Sequence, residues 1–304
     1  MVDRRMRADV ALALCSLLWG ATFVVVRNAL DHVSVFLFLA LRFTVAAVLM
    51  ATFRPRALKR LHQEELFAGG ALGLFLFGGY AFQTAGLQYT TPAKSGFVTG
   101  SSVVLVPLLL GVFWRRRMTA WIYGGTLAVV AGLYLLTVPA EGFTGFNRGD
   151  LLTLAAAALY AVHIILVGEY ARRHSGAALG VLQIAACAGL AWFATISASL
   201  TSWQIVRFDG RLEALVGIGI CAVFATAIAF SVQLWAQQYT SPSHAAIIFT
   251  LEPVFAVITS FLVIGERLNR RSMIGGVFVL AGILIAELLG PAAVESPEPM
   301  GEVG

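Results

Sequence analysis

Thr250-Leu251-Glu252-Pro253 stands near the middle of an apolar run that extends from about residue 242 to Ile264. A run of that length crosses a bilayer of about 30 Å, which places a full charge at membrane depth. A carboxylate there costs on the order of 2.5–3.5 kcal/mol even on the gentler insertion scales, so it is retained only where it faces a polar interior and has a use. Pro253 removes a backbone donor beside it, and the helix is expected to bend at that depth.

The rest of the chain is built like the housing of that spot. Its 304 residues are 59% hydrophobic and 12% charged, against about 25% charged in soluble domains. Ten spans are predicted, at approximately 9–26, 34–53, 65–88, 92–114, 119–138, 150–168, 177–202, 212–237, 242–264 and 271–289. Clusters of charge and turn-forming residues separate them, among them Arg54-Pro55-Arg56 and Arg172-Arg173-His174. The first run is too long for a signal-peptide core and lacks a small-residue cleavage site, so it stays as a span. The fold class is an all-α membrane protein, with a transmembrane domain over 1–290 and a disordered tail over 291–304, rich in Pro and Glu. No stretch is left for a soluble domain. The net charge of +5 then orients spans rather than binding nucleic acid. Cys15, Cys187 and Cys221 all fall in apolar runs without ligand spacing, which reads as buried small side chains rather than a disulfide or metal site.

The chain repeats itself. Gln88-Tyr89-Thr90 and Pro92 recur 150 residues later as Gln238-Tyr239-Thr240 and Pro242, and the same offset carries Gln83 to Gln233, Gly125 to Gly275 and Ala131-Gly132 to Ala281-Gly282. Nearer the start the offset is 141, taking Arg7 and Asp9 to Arg148 and Asp150 and Trp19 to Tyr160. Each unit, about 7–139 and 148–290, holds five spans. An odd number sends the second unit in from the opposite face, so two inverted five-helix repeats are predicted.

Orientation follows from the cations. With the N-terminus inside, the first repeat places its arginine and lysine clusters inside and only Arg27 and Lys94 outside, whereas the second repeat leaves Arg148, Arg207, Arg211, Arg267, Arg270 and Arg271 outside. Early spans usually dominate, which gives a multi-pass protein of a cell inner membrane with both termini cytoplasmic.

Leu18-Trp19-Gly20-Ala21-Thr22-Phe23, Leu41-Arg42-Phe43, Gln88-Tyr89-Thr90, Thr250-Leu251-Glu252-Pro253-Val254 and Gly265-Glu266-Arg267-Leu268, in this order on ten spans, resemble the EamA-like branch of the drug/metabolite transporter superfamily. The resemblance covers nearly the whole chain. It implies an exporter-type carrier that works by alternating access without nucleotide hydrolysis. It also implies a central cavity lined mainly by spans one, three, four, six, eight and nine, and solutes such as amino acids, other metabolites or drugs.

Candidate residues have competing uses. Glu252 serves as a contact for a substrate amine or carrier of a coupling proton, or as a structural carboxylate holding the Pro253 bend. Arg42 binds a substrate carboxylate, or more plainly pairs with a helix C-terminus or a carboxylate such as Glu252. His163 titrates in a useful range for proton relay, yet a lone intramembrane histidine is as often a hydrogen-bonded packing residue. Trp19, Tyr80, Gln83, Tyr160, Gln233 and Trp235 lie in spans that the resemblance assigns to the cavity, where aromatic walls and a few amides suit a small amphipathic solute. Thr22, Thr99, Ser101 and Ser102 either line that cavity or bond neighbouring helices. Trp114, Trp121 and Tyr123 read as interface aromatics. Gly69 and Gly73 on span three, Gly124, Gly125 and Gly132 on span five and Gly275, Gly276 and Gly282 on span ten make small-residue faces for close helix approach, and those of spans five and ten are also candidates for a dimer contact. In Arg148-Gly149-Asp150, Asp150 reads as a helix cap.

No phosphate loop or His-Glu-x-x-His helix is present, so an enzyme is not expected. The predicted function is secondary transport that exports small amphipathic metabolites, with no cofactor, no metal and no nucleic-acid partner. The protein is expected to meet only its solute and the lipid bilayer, as a monomer or weak homodimer. A sugar-phosphate or nucleotide-sugar exchanger is the alternative within transport; it would need several intramembrane cations, and only Arg42 lies well inside a span. An intramembrane enzyme is the alternative outside it.

Overall fold

The computed structural model describes residues 2–59, 61–90, 92–113, 115, 118–138, 147–201, 205–264 and 270–289. Gly265-Glu266-Arg267-Leu268, Trp114 and the tail from 291 lie outside them. The described residues are almost wholly helical, because a backbone in hydrocarbon must satisfy its own hydrogen bonds. The helices are α1 (Val2–Ala29), α2 (Val35–Phe53), α3 (Gln63–Gly86), α4 (Pro92–Gly100), α5 (Ser102–Phe113), α6 (Ala120–Thr137), α7 (Arg148–Tyr170), α8 (Gly176–Leu200), α9 (Leu212–Ala222), α10 (Ala229–Ala236), α11 (Pro242–Phe249), α12 (Leu251–Ile264) and α13 (Arg270–Leu289). Six helical stretches, at Arg4–Ala29, Val35–Phe53, Gln63–Gly86, Arg148–Tyr170, Gly176–Leu200 and Leu212–Ala236, are long and apolar enough to cross a membrane, and shorter apolar helices accompany them. Phe53, Leu127, Phe193, Leu200 and Leu262 are exposed, an apolar exterior that suits lipid and not water. This is a multi-pass membrane protein.

Two predicted spans are broken in the same way. At the end of α4 the Ser101 amide reaches back to the Val98 carbonyl (3.1 Å) and its hydroxyl donates to the same oxygen (2.6 Å). At the end of α11 the Thr250 amide does so to Ile247 (3.1 Å), and its hydroxyl donates there too. The expected bend at Pro253 is therefore displaced. The break precedes it at Thr250, and Pro253 falls in the first turn of α12, where a missing amide hydrogen costs nothing.

Local chemistry fixes the other ends. Asn147 Oδ1 accepts from the Asp150 amide (3.0 Å) and Asp150 Oδ2 accepts from the Asn147 amide (2.9 Å). The cap of α7 is thus Asn147, and Asp150 is its reciprocal partner three positions on rather than the cap itself. Asp150 Oδ1 also accepts from Thr90 Oγ1 (2.8 Å), tying the end of α3 to α7.

Helix α1 lies along α9, α10 and α12, and α7 lies along α3, α4 and α5; α8 packs on α2 and α3, and α6 on α13. Because lipid is as apolar as leucine, these contacts hold by close packing. A Cβ on Gly125 would come within 2.7 Å of the Gly282 carbonyl oxygen, and one on Gly132 within 2.7 Å of that of Gly275, so these small-residue faces meet one another inside the chain. Gly20 meets α12 as closely, its Cβ position lying 2.5 Å from the Glu252 carbonyl oxygen. The three cysteines are free and buried.

At the end of the bundle opposite the N-terminus, Val33 and Phe208 form an antiparallel bridge, and His32 lies 2.8 Å from Asp209. Asp209 is held below the usual carboxylate range: desolvation pulls it upward, but hydrogen bonds from His32 and the Arg211 amide, with the charges of both residues, outweigh that.

Candidate functional site

The apolar clusters of the bundle meet at Trp19, which packs against two of them. Beside it lies an open cavity of about 90 Å³. One face of α1 supplies Trp19, Thr22, Phe23 and Val26, and one face of α3 supplies Leu76, Tyr80, Gln83 and Thr84, with Leu87 just past its end. Both sets follow the three- and four-residue spacing that puts side chains on a single helix face. Thr99 and Ser102 flank the break after α4, and Phe249 and Glu252 flank the break after α11. Tyr160, His163 and Ile164 come from α7, and Phe230 and Gln233 from α10. Arg42 reaches in from α2, so span two joins the six spans expected from the resemblance.

The walls are aromatic and preorganised. Trp19 meets Phe249 edge-on at 5.1 Å between centroids, and Tyr80 meets Tyr160 edge-on at 5.7 Å. Gln83 locks one wall, donating from Nε2 to Thr99 Oγ1 (2.9 Å) while its carbonyl accepts from the Tyr160 hydroxyl (3.0 Å). Gln233 Nε2 donates to Gln237 Oε1 (2.9 Å), and Gln237 Nε2 donates to the Ile164 carbonyl (2.9 Å). The Oε1 of Gln233 is buried without a hydrogen-bond partner. His163 Nε2 lies 3.0 Å from Gln183 Oε1, and the Gln183 amide nitrogen is buried without a partner. Of the two uses open to His163, the hydrogen-bonded packing role is present in the geometry.

Arg42 is the most engaged side chain. Between α9 and α10 the helix widens into a π-helical segment, Val223–Ile228, whose looser turn leaves backbone carbonyls free. The Ala225 carbonyl accepts from Trp19 Nε1 (2.9 Å) and from Arg42 Nη2 (3.3 Å). Arg42 Nε donates to Thr226 Oγ1 (2.8 Å), Nη2 donates to the Tyr80 hydroxyl (3.2 Å), and the guanidinium lies 4.5 Å from the Tyr80 ring centre. The anticipated pairing of Arg42 with Glu252 is not made. Neutral acceptors on the π segment and Tyr80 take its donors instead. Glu252 has no hydrogen bond or ion pair among the described residues, although it lines the same cavity. One buried cation and one carboxyl group therefore face a shared space without pairing.

Of the residues singled out from sequence for the cavity, Ser101 is not in the lining and spends its hydroxyl on the Val98 carbonyl, and Trp235 lies elsewhere. It is 40% exposed and stacks edge-on against Tyr239 at 5.6 Å, because it sits two residues beyond Gln233 and so on another face of α10. Sequence reading missed Phe230, Phe249, Phe23 and Ile164, which look like ordinary packing residues. The repeat offsets would have found Phe230 and Phe249, from Tyr80 and Thr99. The 150 offset joins Tyr80 to Phe230, Thr99 to Phe249 and Ser102 to Glu252, and the 141 offset joins Thr22 to His163 and Phe23 to Ile164; all of these line the cavity.

A model of the EamA-like transporter family matches the chain twice, over residues 6–138 and 147–288. A transporter of Archaeoglobus fulgidus is 34% identical over 285 residues, covering 94% of this chain and 87% of its own. A probable amino-acid metabolite efflux pump of Salmonella typhimurium is 25% identical over 293 residues, covering 92% of this chain and 94% of its own. A solved crystal structure superposes with a TM-score of 0.76 at 20% identity, over 93% of this chain and 97% of its own, which shows a shared fold.

Proposed function

Because the chain belongs to the EamA-like transporter family, we propose that it exports small amphipathic solutes carrying both an amine and a carboxylate, amino acids foremost. The observation that carries this reading is that the Arg42 guanidinium and the Glu252 carboxyl line one cavity with aromatic walls, neither meeting an opposite charge among the described residues. A ligand with both charges relieves two desolvated groups at once, which a singly charged or neutral solute does not. The efflux-pump name of the Salmonella relative points the same way.

Alternating access is proposed on the symmetry of the parts. Spans one to five and six to ten, over about 7–139 and 148–290, are read as inverted repeats. Helix α1 runs beside α9, α10 and α12 as α7 runs beside α3, α4 and α5, which are the same neighbours with the halves exchanged. The matching breaks at Ser101 and Thr250 and the offset pairs lining the cavity support this reading, and discontinuous helices at the midplane are a recurring feature of such carriers. We place both termini in the cytoplasm of a cell inner membrane, on the arginine clusters of the first repeat.

A sugar-phosphate exchanger fits less well, since Arg42 is the single cation among the described lining residues. An intramembrane hydrolase fits less well again, since the side-chain partner of His163 is the Gln183 amide and not a hydroxyl nucleophile. The test is uptake and efflux of labelled amino acids in proteoliposomes, with and without a pH gradient. Movement of leucine or threonine well above protein-free liposomes supports the reading, and movement of phosphorylated sugars in their place overturns it.

A further inference from the structure

Thr226 does not line the cavity and is fully buried, yet it touches the group that gives the cavity its positive charge. Its hydroxyl has one proton, and that proton goes to the Cys221 carbonyl at 2.8 Å, five residues back across the π segment. The oxygen lone pairs are thereby left to accept, and they accept from Arg42 Nε at 2.8 Å. In straight helices of this chain Thr153 and Thr195 donate to the carbonyl four residues back, and the widened turn moves the acceptor of Thr226 to the fifth. With the Ala225 carbonyl on Nη2, the π segment grips one edge of the guanidinium plane and presses its face to Tyr80. Nη1 has no partner among the described residues. It is the end of the fork left for a ligand, and a planar guanidinium held at two of its nitrogens offers that end in one direction.

We infer that Thr226 is the positioning residue that aims Arg42 into the cavity, so that the π segment of span eight sets the preference for solutes bearing a carboxylate. This rests on the reading of the cavity as a site for amine-and-carboxylate solutes. The two claims separate in the test. The offset of 150 pairs Thr226 with Leu76, so the second half supplies a hydroxyl where the first supplies a hydrocarbon. The grip on Arg42 is therefore built once, in one half.

The experiment compares wild type, Thr226→Val and Thr226→Ser as full-length protein in proteoliposomes, with L-leucine and its amino alcohol leucinol as probes. Valine keeps the shape and loses the acceptor, whereas serine keeps the acceptor. Losing one hydrogen bond to a charged group is expected to raise KM for leucine about tenfold at an unchanged maximal rate. Leucinol should change less than about twofold, and Thr226→Ser should restore the leucine value. In parallel, the rate at which phenylglyoxal modifies Arg42 is followed by peptide mass in detergent-purified protein; it should rise severalfold in Thr226→Val and return to the wild-type rate in Thr226→Ser. Equal modification rates in wild type and Thr226→Val overturn the positioning role, as does an equal loss of leucine and leucinol transport. If wild type moves neither probe while Arg42 modification still rises in Thr226→Val, the positioning stands and the solute reading falls.

Discussion

The approach of α1 to α12 at Gly20 yields the sharpest prediction about how Glu252 is held. A Cβ at position 20 would lie 2.5 Å from the Glu252 carbonyl oxygen, 2.9 Å from the Ala256 amide nitrogen and 3.0 Å from the Phe255 Cβ. The first two are backbone atoms of α12, which cannot rotate away as a side-chain tip can. Restoring ordinary contact at about 3.4 Å requires the helices to part by about 0.9 Å. Overpacking of that kind costs about 1–3 kcal/mol, offset by about 1 kcal/mol from the better helix propensity of alanine. Gly20→Ala is therefore expected to lower the midpoint of thermal unfolding in detergent by up to about 8 °C. Glu252 lies in the first turn of α12 and moves with it, so transport should fall further than stability, about tenfold for an ångström of misplacement at a binding group. Gly219→Ala is the control, since nothing lies within 4 Å of its Cβ position. An unchanged midpoint and unchanged transport in Gly20→Ala would refute the reasoning, because the contact could then not be as close as 2.5 Å.

Three further outcomes follow from particular contacts. Tyr160→Phe removes the donor to the Gln83 carbonyl and should destabilise by about 1–2 kcal/mol, less than Gln83→Leu, which strands both the Tyr160 hydroxyl and Thr99; denaturant or thermal melts rank the two. The His32–Asp209 contact should stabilise fully above the ordinary aspartate value of about 4 and lose its effect as pH falls through the depressed folded value of Asp209. Asp209→Asn should flatten that acid limb in melting curves taken from pH 6 downward, and an identical limb would assign it to other groups. Cys15, Cys187 and Cys221, all buried, should resist a polar maleimide in folded protein and react only after denaturation, as mass spectrometry would report.

Much of the architecture was legible because membrane insertion imposes coarse rules. Span length and the punctuating arginine clusters are set by the bilayer, and the recurrence of Gln88-Tyr89-Thr90 at Gln238-Tyr239-Thr240 runs parallel to the two matches of the family model, over 6–138 and 147–288. The cavity was legible where its residues are polar, as at Gln83, His163 and Glu252, since polar groups in an apolar run stand out. Phe230 and Phe249 did not stand out, because phenylalanine is equally at home against lipid. The break at Thr250 was attributed to Pro253, the stronger-looking breaker. Proline is harmless in a first helical turn, and the hydroxyl that terminates the preceding helix is the subtler signal. The π segment at Val223–Ile228 has no mark in its composition. Its stabilising contacts, to Trp19 and Arg42, come from helices about 200 residues away in sequence. That is also why the partners of Arg42, read from sequence as a helix C-terminus or a carboxylate such as Glu252, are instead a carbonyl and a hydroxyl of a widened turn in mid-span.

The central claim is that Glu252 faces the solute and is not merely a structural carboxylate. Its most direct test is leucine efflux from proteoliposomes carrying Glu252→Gln, beside wild type, normalised to the amount of monodisperse protein recovered. Near-isosteric glutamine leaves the packing around α12 in place while removing the charge. The account predicts recovery close to wild type with efflux reduced tenfold or more, a loss of more than about 1.4 kcal/mol at the solute-binding step. Efflux and recovery falling together in equal measure would contradict it.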